Sequence, residues 1–226
     1  MKKFFLYIYH LYYRHKNFFP KKTYSCWGED IIISNFFKNK KKGFYVDVGS
    51  YHPFFWNNTY LLYKKDWSGI NVDANSLSTE LFNFARPKDN NFNFAVTNKK
   101  LKKIKLFFRR KINVLNTTNK KFAKINFPNG YQTSTIKCTS LNNLISKTKF
   151  KNKSIDFLNI DVEGNEIEVL KSLNFKIYRP LVICIEIHHN DTFRLKQNPV
   201  FKFLIKKKYK KIWSKEYSFI FIKRSK

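Results

Sequence analysis

The hydrophobic pattern from residue 44 onwards alternates between short apolar runs and longer amphipathic segments. Each short run is bounded by turn-forming or charged residues and predicts a strand, whereas the amphipathic segments predict helices. The predicted strands are 44–48, 69–73, 91–96, 135–138, 156–160, 181–187, 210–213 and 218–222, and the predicted helices are 29–37, 58–65, 77–84, 139–145, a segment from 165, and 199–208. This alternation predicts an α/β fold, namely a doubly wound, mostly parallel sheet with a C-terminal antiparallel hairpin.

Two regions do not follow the alternation. Residues 1–42 form a basic, aromatic lead-in to the main domain, which we place at 43–226. The stretch at about 98–134 is rich in Lys and Asn, and the alternation around Leu106 predicts a half-exposed strand. We therefore interpret this stretch as an insertion that carries short strands.

The helix after the strand at 156–160 is predicted to begin at Asn165. Glu168 lies three residues further on, which is the spacing of a capping box, and Glu166 stands in the first turn, where the helix dipole favours an acid. Leu170 and Leu173 are spaced to form the buried face of this helix.

The chain has 226 residues and a formal net charge of +30, from 45 Lys and Arg against 15 Asp and Glu. Such a charge is typical of nucleic-acid binders, but few of the basic residues are arginines, which recognise phosphates and bases best. Lys, Asn, Ile, Phe and Tyr, whose codons are rich in A and T, are all abundant, so compositional drift explains the charge as well. The positive field still favours acidic partners such as phosphorylated sugars or anionic membrane surfaces.

The cysteines and the N-terminal segment give information on the cellular compartment of the protein. Cys26, Cys138 and Cys184 are far apart and no two are spaced as a zinc-binding pair, which favours a reducing, cytoplasmic location. Cys184 lies in an apolar run and is interpreted as a core thiol. Residues 1–19 lack a small-residue cleavage site and are too short to span a bilayer, so they predict an amphipathic helix on the protein or peripherally on a membrane.

Polar side chains collect where the predicted parallel strands end. Ligands of such sheets bind beyond these carboxyl ends. Gly49 allows a ligand to approach the backbone closely, and Asp73, at the end of the next strand, can accept hydrogen bonds from ribose hydroxyls. The spacing therefore predicts a nucleoside site. The polar or small residues at the strand ends are Asp47, Gly49, Ser50, His52, Asp73, Ala95, Asp161, Glu163, Glu186, His188 and His189.

Three blocks of sequence stand out: YSCWGED at 24–30, FYVDVGSYHP at 44–53 with its continuation to residue 75, and IDFLNIDVEGNE at 155–166. In order and spacing they resemble the FkbM family of methyltransferases. The resemblance implies a Rossmann-like fold of the class I methyltransferase type that binds S-adenosylmethionine and methylates a hydroxyl. Two departures are Cys26, where the family pattern usually has Gln, and a bulkier loop at 49–53.

The resemblance also implies roles for individual residues. Asp47 and Gly49 would border the methionine half of the cofactor, with Ser50 and His52 in the same loop. Asp73 would hold the ribose. The remaining implied positions are Ala95 near the adenine and Asp161 and Glu163 facing the reacting centre.

Methyl transfer to a hydroxyl needs a base that removes the hydroxyl proton. The candidates are Asp161, Glu163, His188 and, in the first loop, His52. Asp161 and His188 are favoured, and the sequence does not decide between them. A metal assisted by Asp161, Glu163 and His188 is an alternative, although no ligand spacing in the sequence requires one. The acceptor would be a sugar, a glycan precursor or another small metabolite, and its pocket is expected to come from the lead-in and the insertion.

Two other functions compete with this one. The first is a non-catalytic basic module of the same fold that binds RNA or an anionic membrane surface. The acids at the strand ends argue against it, because a polyanion binder gains nothing from them. The second is a nucleic-acid methyltransferase, which the absence of a clustered Arg stripe and of an NPPY-type segment disfavours.

Overall fold

A computed structural model describes residues 2–15, 22–110, 112–188 and 192–224. His189, named above among the residues at the strand ends, lies outside the described residues. Within them the strands are β1 (Phe44–Val48), β2 (Ser68–Asp73), β3 (Asn90–Asn93), β4 (Ala95–Val96), β5 (Lys103–Phe108), β6 (Gln132–Thr139), β7 (Phe157–Ile160), β8 (Val182–Glu186), β9 (Tyr209–Lys215) and β10 (Ser218–Lys223).

The helices surround these strands. A π-helical turn at Tyr9–Tyr13 continues the first helix. The α-helices are α1 (Lys2–Ile8), α2 (Glu29–Phe36), α3 (Tyr60–Lys64), α4 (Ser76–Ala85), α5 (Lys120–Asn126), α6 (Leu141–Ser146), α7 (Glu166–Lys171), α8 (Thr192–Gln197) and α9 (Pro199–Lys206).

Seven strands form the main sheet in the order β3-β2-β1-β7-β8-β10-β9. The first five of these are parallel, while β10 runs antiparallel to both β8 and β9. The strand order reverses at β1, because β2 lies on one side of it and β7 on the other. Open α/β sheets bind ligands at such a switch point. The predicted fold class, including the C-terminal hairpin, is confirmed.

The central strands are buried on both faces, which explains their continuous apolar runs. On one face Val46 packs in a large core cluster with Leu170 of α7 and Leu204 of α9. On the other face Tyr45 packs with Ile33 of α2 and with residues near α3. The core therefore fixes β1 and its neighbours from both sides and leaves their carboxyl ends for the site.

The predicted strand at 91–96 is wrong as a single element. Asn90–Asn93 pairs with β2, while Ala95–Val96 pairs with Cys138 and Thr139 of β6 in a separate three-stranded sheet of order β4-β6-β5. Phe94 lies between the two pieces and packs against the main core. The chain leaves the edge of the main sheet here because β6 offers a second partner, and a sequence pattern does not record which partner a strand pairs with.

The predicted capping box at α7 is also wrong. Asn165 makes no side-chain cap, and its amide instead donates to Thr118 Oγ1 at 2.7 Å. Glu166 Oε1 accepts the backbone N–H of Gly164 at 2.9 Å in place of the expected bond. The turn before the helix has positive φ at Glu163 and Gly164, and this geometry presents different donors to the side chains.

The N-terminal helix packs on the domain along one side. Leu11 is fully buried in a cluster with Phe54, Leu81 and Ile112, and Tyr7 Oη donates to Glu80 at 2.7 Å. The opposite side leaves large aromatic rings exposed. Among the described residues, none of the helices has the length and apolar character needed to cross a bilayer. Contact of this segment with a membrane surface stays a prediction.

Candidate active site

Two adjoining cavities open at the carboxyl edge of β1, β2 and β7. The smaller one has a volume of about 60 Å³ and the larger one about 380 Å³. They share a wall made of Gly49, Tyr51, Val114 and Asp161. A ligand in one cavity therefore lies next to a ligand in the other.

The smaller cavity contains three of the residues assigned to a cofactor. Gly49, Asp73 and Ala95 all line it. Gly49 turns the chain at the end of β1 with φ of 81°, and a Cβ there would overlap the carbonyl oxygen of Asp161. Only glycine allows the loop after β1 to pack this closely against the backbone of Asp161, so Gly49 fixes the two loops side by side at the shared wall of the cavities.

Asp73 is oriented by the backbone around it. Its Oδ2 accepts the N–H of Tyr51 at 2.7 Å and its Oδ1 accepts the N–H of Asn75 at 2.7 Å. Burial raises the pKa of Asp73 to about 6, although these hydrogen bonds favour the charged form. Each carboxylate oxygen keeps a second lone pair, so the side chain can accept further hydrogen bonds from a ligand.

Asp47 is a buried carboxylate at the end of β1. Its oxygens accept hydrogen bonds from Asn57 Nδ2, Thr59 Oγ1 and Asn159 Nδ2 at 2.8–3.2 Å. Asp47 lines the larger cavity and not the smaller one, and Ser50 does the same. A contact of either residue with a cofactor stays a prediction, and three donors already hold the Asp47 carboxylate.

His52 holds the first loop and the N-terminal segment together. Its Nδ1 accepts the N–H groups of Phe54 and Phe55 at 3.1 and 2.9 Å, so the ring proton is on Nε2, which donates to the carbonyl of His10 at 3.0 Å. Burial lowers the pKa of His52 to about 3, so the ring stays neutral. Neither described cavity includes His52 in its lining, and its assignment to the cofactor stays a prediction.

Asp161 stands where the two cavities meet. Its side chain is exposed, but the surface that it exposes faces the cavities, with protein on the other sides. This enclosure, followed by the charges of Glu186 and Glu166, raises the pKa of Asp161 well above its usual range. A carboxyl group with a raised pKa at the junction of two ligand cavities is suited to accept a proton.

Two further carboxyl groups, Glu163 and Glu186, line the larger cavity beside Asp161. Burial and the neighbouring carboxylates raise the pKa of each to about 9. His188 Nε2 lies 3.0 Å from Glu186 Oε2, its ring packs on Phe122, and burial lowers its pKa. The structure thus brings the three residues assigned to the reacting centre together and adds Glu186, which the sequence identified only as a strand-end acid.

The insertion covers both cavities and is tied to the turn that carries Glu163. Thr117 Oγ1 donates to the carbonyl of Glu163 at 2.6 Å, and Asn119 Nδ2 donates to the carbonyl of Gly164 at 2.7 Å. Val114 lines both cavities and Leu115 lines the larger one. The insertion is therefore a wall of the site, as the sequence led us to expect for the acceptor pocket.

The lead-in supplies another part of the wall. Cys26, Trp27 and Glu29, from the YSCWGED block, line the larger cavity. Asp30 of the same block is buried and caps the loop, because its Oδ1 accepts Ser25 Oγ at 2.8 Å and its Oδ2 accepts the N–H of Tyr24 at 2.8 Å. The block thus combines a structural cap with residues that face the cavity.

The larger cavity is acidic although the chain is strongly basic. None of the Lys or Arg residues in the described part of the chain lines it, whereas the chain has three times as many basic as acidic residues. The residue types of its walls therefore differ in sign from the net charge of the chain. The acids that line it are Glu29, Asp47, Asp161, Glu163, Glu186 and Glu216.

Arg86 supports the site from below, and sequence reasoning missed it. Its guanidinium is fully buried and donates to Asp89 at 3.0 Å, to Tyr45 Oη at 2.6 Å, to Asn57 and to Thr59. Asn57 and Thr59 are also the partners of Asp47. The network thus joins α4 to the loop after β1, and an isolated Arg in the sequence gave no sign of it.

Comparison with known families agrees with this geometry. A family model described as the methyltransferase FkbM domain matches residues 47–217, which include every residue of the shared wall. The comparison with curated proteins finds no match to the chain. The chain belongs to the FkbM methyltransferase family and carries its domain over most of its length.

Proposed function

We propose that the protein is an S-adenosylmethionine-dependent O-methyltransferase whose smaller cavity takes the adenosyl part of the donor and whose larger cavity takes the acceptor. The observation that carries the proposal is the meeting of the two cavities at Asp161, above the switch point of a parallel sheet. The residues of the smaller cavity suit a nucleoside, because Gly49 and Asp73 both line it and Asp73 has lone pairs that can accept hydrogen bonds from ribose hydroxyls.

The bound donor supplies a methyl group that is already activated, and the methyl passes to the acceptor oxygen as the carbon–sulfur bond breaks and its electron pair stays on sulfur. The protein has to align the acceptor hydroxyl and to take its proton. Asp161 is placed for both tasks because it lines both cavities. His188, the other candidate base, is not in the lining of either described cavity, so the geometry favours Asp161.

Binding of S-adenosylhomocysteine tests the donor site directly. We expect calorimetric titration to show binding in the micromolar range, and we expect Asp73→Ala to weaken it about tenfold, the scale of one or two hydrogen bonds lost from a buried site. Asp66→Asn is the matched control, because the Asp66 side chain is exposed and pairs with Lys88 on the surface.

Two results would count against the donor site. Equal affinity in Asp73→Ala and wild type would remove Asp73 from the ribose position. No heat from the folded wild-type protein would favour the non-catalytic basic module instead. The melting temperature of each variant, measured in parallel, shows whether a loss of binding reflects unfolding, since Asp73 also holds the loop at Tyr51.

The lining of the larger cavity supports a proposal for the class of acceptor. Its lining contains acidic side chains and, among the described residues, no Lys or Arg that could pair with a phosphate or carboxylate group, so the acceptor is neutral or cationic, in contrast to the acidic partners that the net charge suggests. Trp27, Trp56 and Tyr217 provide aromatic surface among these polar groups, a combination suited to a sugar ring. A neutral sugar or an amino sugar with a free hydroxyl fits best.

Methyl transfer to paired acceptors tests this selectivity. With a labelled methyl donor, we expect a neutral glycoside or amino sugar to react at least about tenfold faster than its phosphate ester, because the described lining offers a phosphate no cationic side chain in exchange for its hydration. The ratio should shrink in Glu216→Gln, which removes one wall charge outside the Asp161 group. A preference for the phosphorylated partner would contradict the assignment.

A further inference from the structure

Glu163, Glu186 and His188 bring three possible ligand atoms to one point beside the larger cavity, which Glu163 and Glu186 line. One atom from each side chain lies within 4.8 Å of the other two. The ligands come from two different strand ends and are 23 and 2 positions apart in sequence. This is why no local spacing in the sequence indicated a metal.

The sheet register produces the convergence. Ile160 of β7 pairs with Ile185 of β8, so the residues that follow these two strands leave the sheet side by side. Glu186 and His188 alternate with Ile187, which is buried in the core, and therefore face the same way. Glu163 reaches the same place from a turn in which its φ is 56°.

Two of the three candidate ligand atoms are buried and have no hydrogen-bond partner among the described residues. Glu186 Oε2 and His188 Nε2 are both inaccessible to solvent, and neither has a hydrogen-bond partner among the described residues. They lie 3.0 Å apart without the angles of a hydrogen bond, as expected for two lone pairs directed at a third point. Buried polar atoms in native proteins rarely stay unpaired.

The surrounding charge adds to the case. None of the ion pairs within the described part of the chain joins Asp161, Glu163 or Glu186 to a Lys or Arg, although the chain has 45 such residues. Glu163 is itself only 8% exposed. Buried carboxylates are normally paired or coordinate a metal, and a bound cation would fill the place that no Lys or Arg of the described residues takes.

We propose that Glu163, Glu186 and His188 bind one divalent first-row metal ion. Carboxylate oxygens suit Mn²⁺ and an imidazole nitrogen suits the later ions of the row, so the mixed set fits this class better than Ca²⁺. An ion there lies beside Asp161 and lowers the pKa of an acceptor hydroxyl that contacts it. This last role rests on the proposed function, whereas binding of the ion does not.

Titration with Mn²⁺ tests the site on the full chain after treatment with a chelator. Electron paramagnetic resonance measures the concentration of free Mn²⁺ during the titration, and we expect the bound fraction to correspond to one site per chain in wild type. Glu186→Gln and Glu163→Gln keep the side-chain shape, and each should lower the affinity at least about tenfold. Asp66→Asn, the surface control, should leave the affinity unchanged.

The outcomes separate this inference from the proposed function. Absence of a site in wild type, or equal affinity in the wild type and both glutamine variants, would overturn the metal site. Binding of S-adenosylhomocysteine is measured on the same samples and should persist in both variants. If Mn²⁺ binds as expected and S-adenosylhomocysteine does not, the metal site stands and the donor assignment fails.

Discussion

Replacing Asp161 by Asn is expected to lower the rate of methyl transfer by about two to four orders of magnitude while S-adenosylhomocysteine binds nearly as well as before. The amide has the shape of the carboxylate but does not accept a proton. The backbone contacts of residue 161, its N–H to Val48 and its carbonyl next to Gly49, do not involve the side chain and should persist. Single-turnover rates with a labelled donor, together with calorimetry, measure the two effects separately.

The pH profile provides a second readout of the same group. A base with a raised pKa is protonated and inactive at low pH, and it gains activity as pH rises through that pKa. Because burial raises the pKa of Asp161 well above its usual range, the wild-type rate should increase as the pH rises through that raised pKa. Asp161→Asn should flatten this rise.

Other outcomes would reassign Asp161. Equal losses of methyl transfer and of S-adenosylhomocysteine binding would move the residue to a cofactor role. A rate close to wild type would remove it as the base and leave His188, which can be tested in the same way with His188→Gln.

Replacing Arg86 by Met is expected to lower the free energy of unfolding by about 3–5 kcal/mol. The substitution leaves the Asp89 carboxylate buried without its cation. It also removes the hydrogen bonds that the Arg86 guanidinium donates to Tyr45, Asn57 and Thr59. For a chain of this size the loss corresponds to roughly 10 °C in melting temperature. Denaturant unfolding followed by circular dichroism measures it.

A surface pair provides the control for Arg86. Lys88 pairs with Asp66 at 3.1 Å, both side chains are largely exposed, and Lys88→Met should change the free energy of unfolding by less than about 1 kcal/mol. Combining Arg86→Met with Asp89→Asn should cost less than the sum of the single changes, because the second change removes the charge that the first leaves unpaired. A loss below about 1 kcal/mol in Arg86→Met would refute the role of the network.

The sequence predicted the parts of the fold whose cause is local. β1, β2, β7 and β8 are short apolar runs because both of their faces are covered, and the C-terminal hairpin shows the same contrast of apolar strand and polar turn. Once the strands were placed, the position of the site followed, because parallel strands bring their carboxyl ends to one edge. Gly49, Asp73, Ala95 and Asp161 all lie around the smaller cavity for this reason.

The features that were missed depend on contacts between distant parts of the chain. The change of partner between β3 and β4 depends on β6, and the bonding of Asn165 depends on Thr118 in the insertion. The partners of Arg86 are spread over some forty positions, from Tyr45 to Asp89. His52 looked available for ligands, but its nitrogens are used by its own loop and by His10. A single sequence contains no record of such pairings.

The common wall of the two cavities links their occupancies. Gly49 and Asp161 border both compartments and pack backbone against backbone, so a molecule on one side contacts the groups that meet a molecule on the other. Linkage then requires that whatever factor a donor analogue applies to acceptor affinity, the acceptor applies to the analogue in return. Saturating the protein with S-adenosylhomocysteine is therefore a way to detect acceptors that bind too weakly to be seen alone.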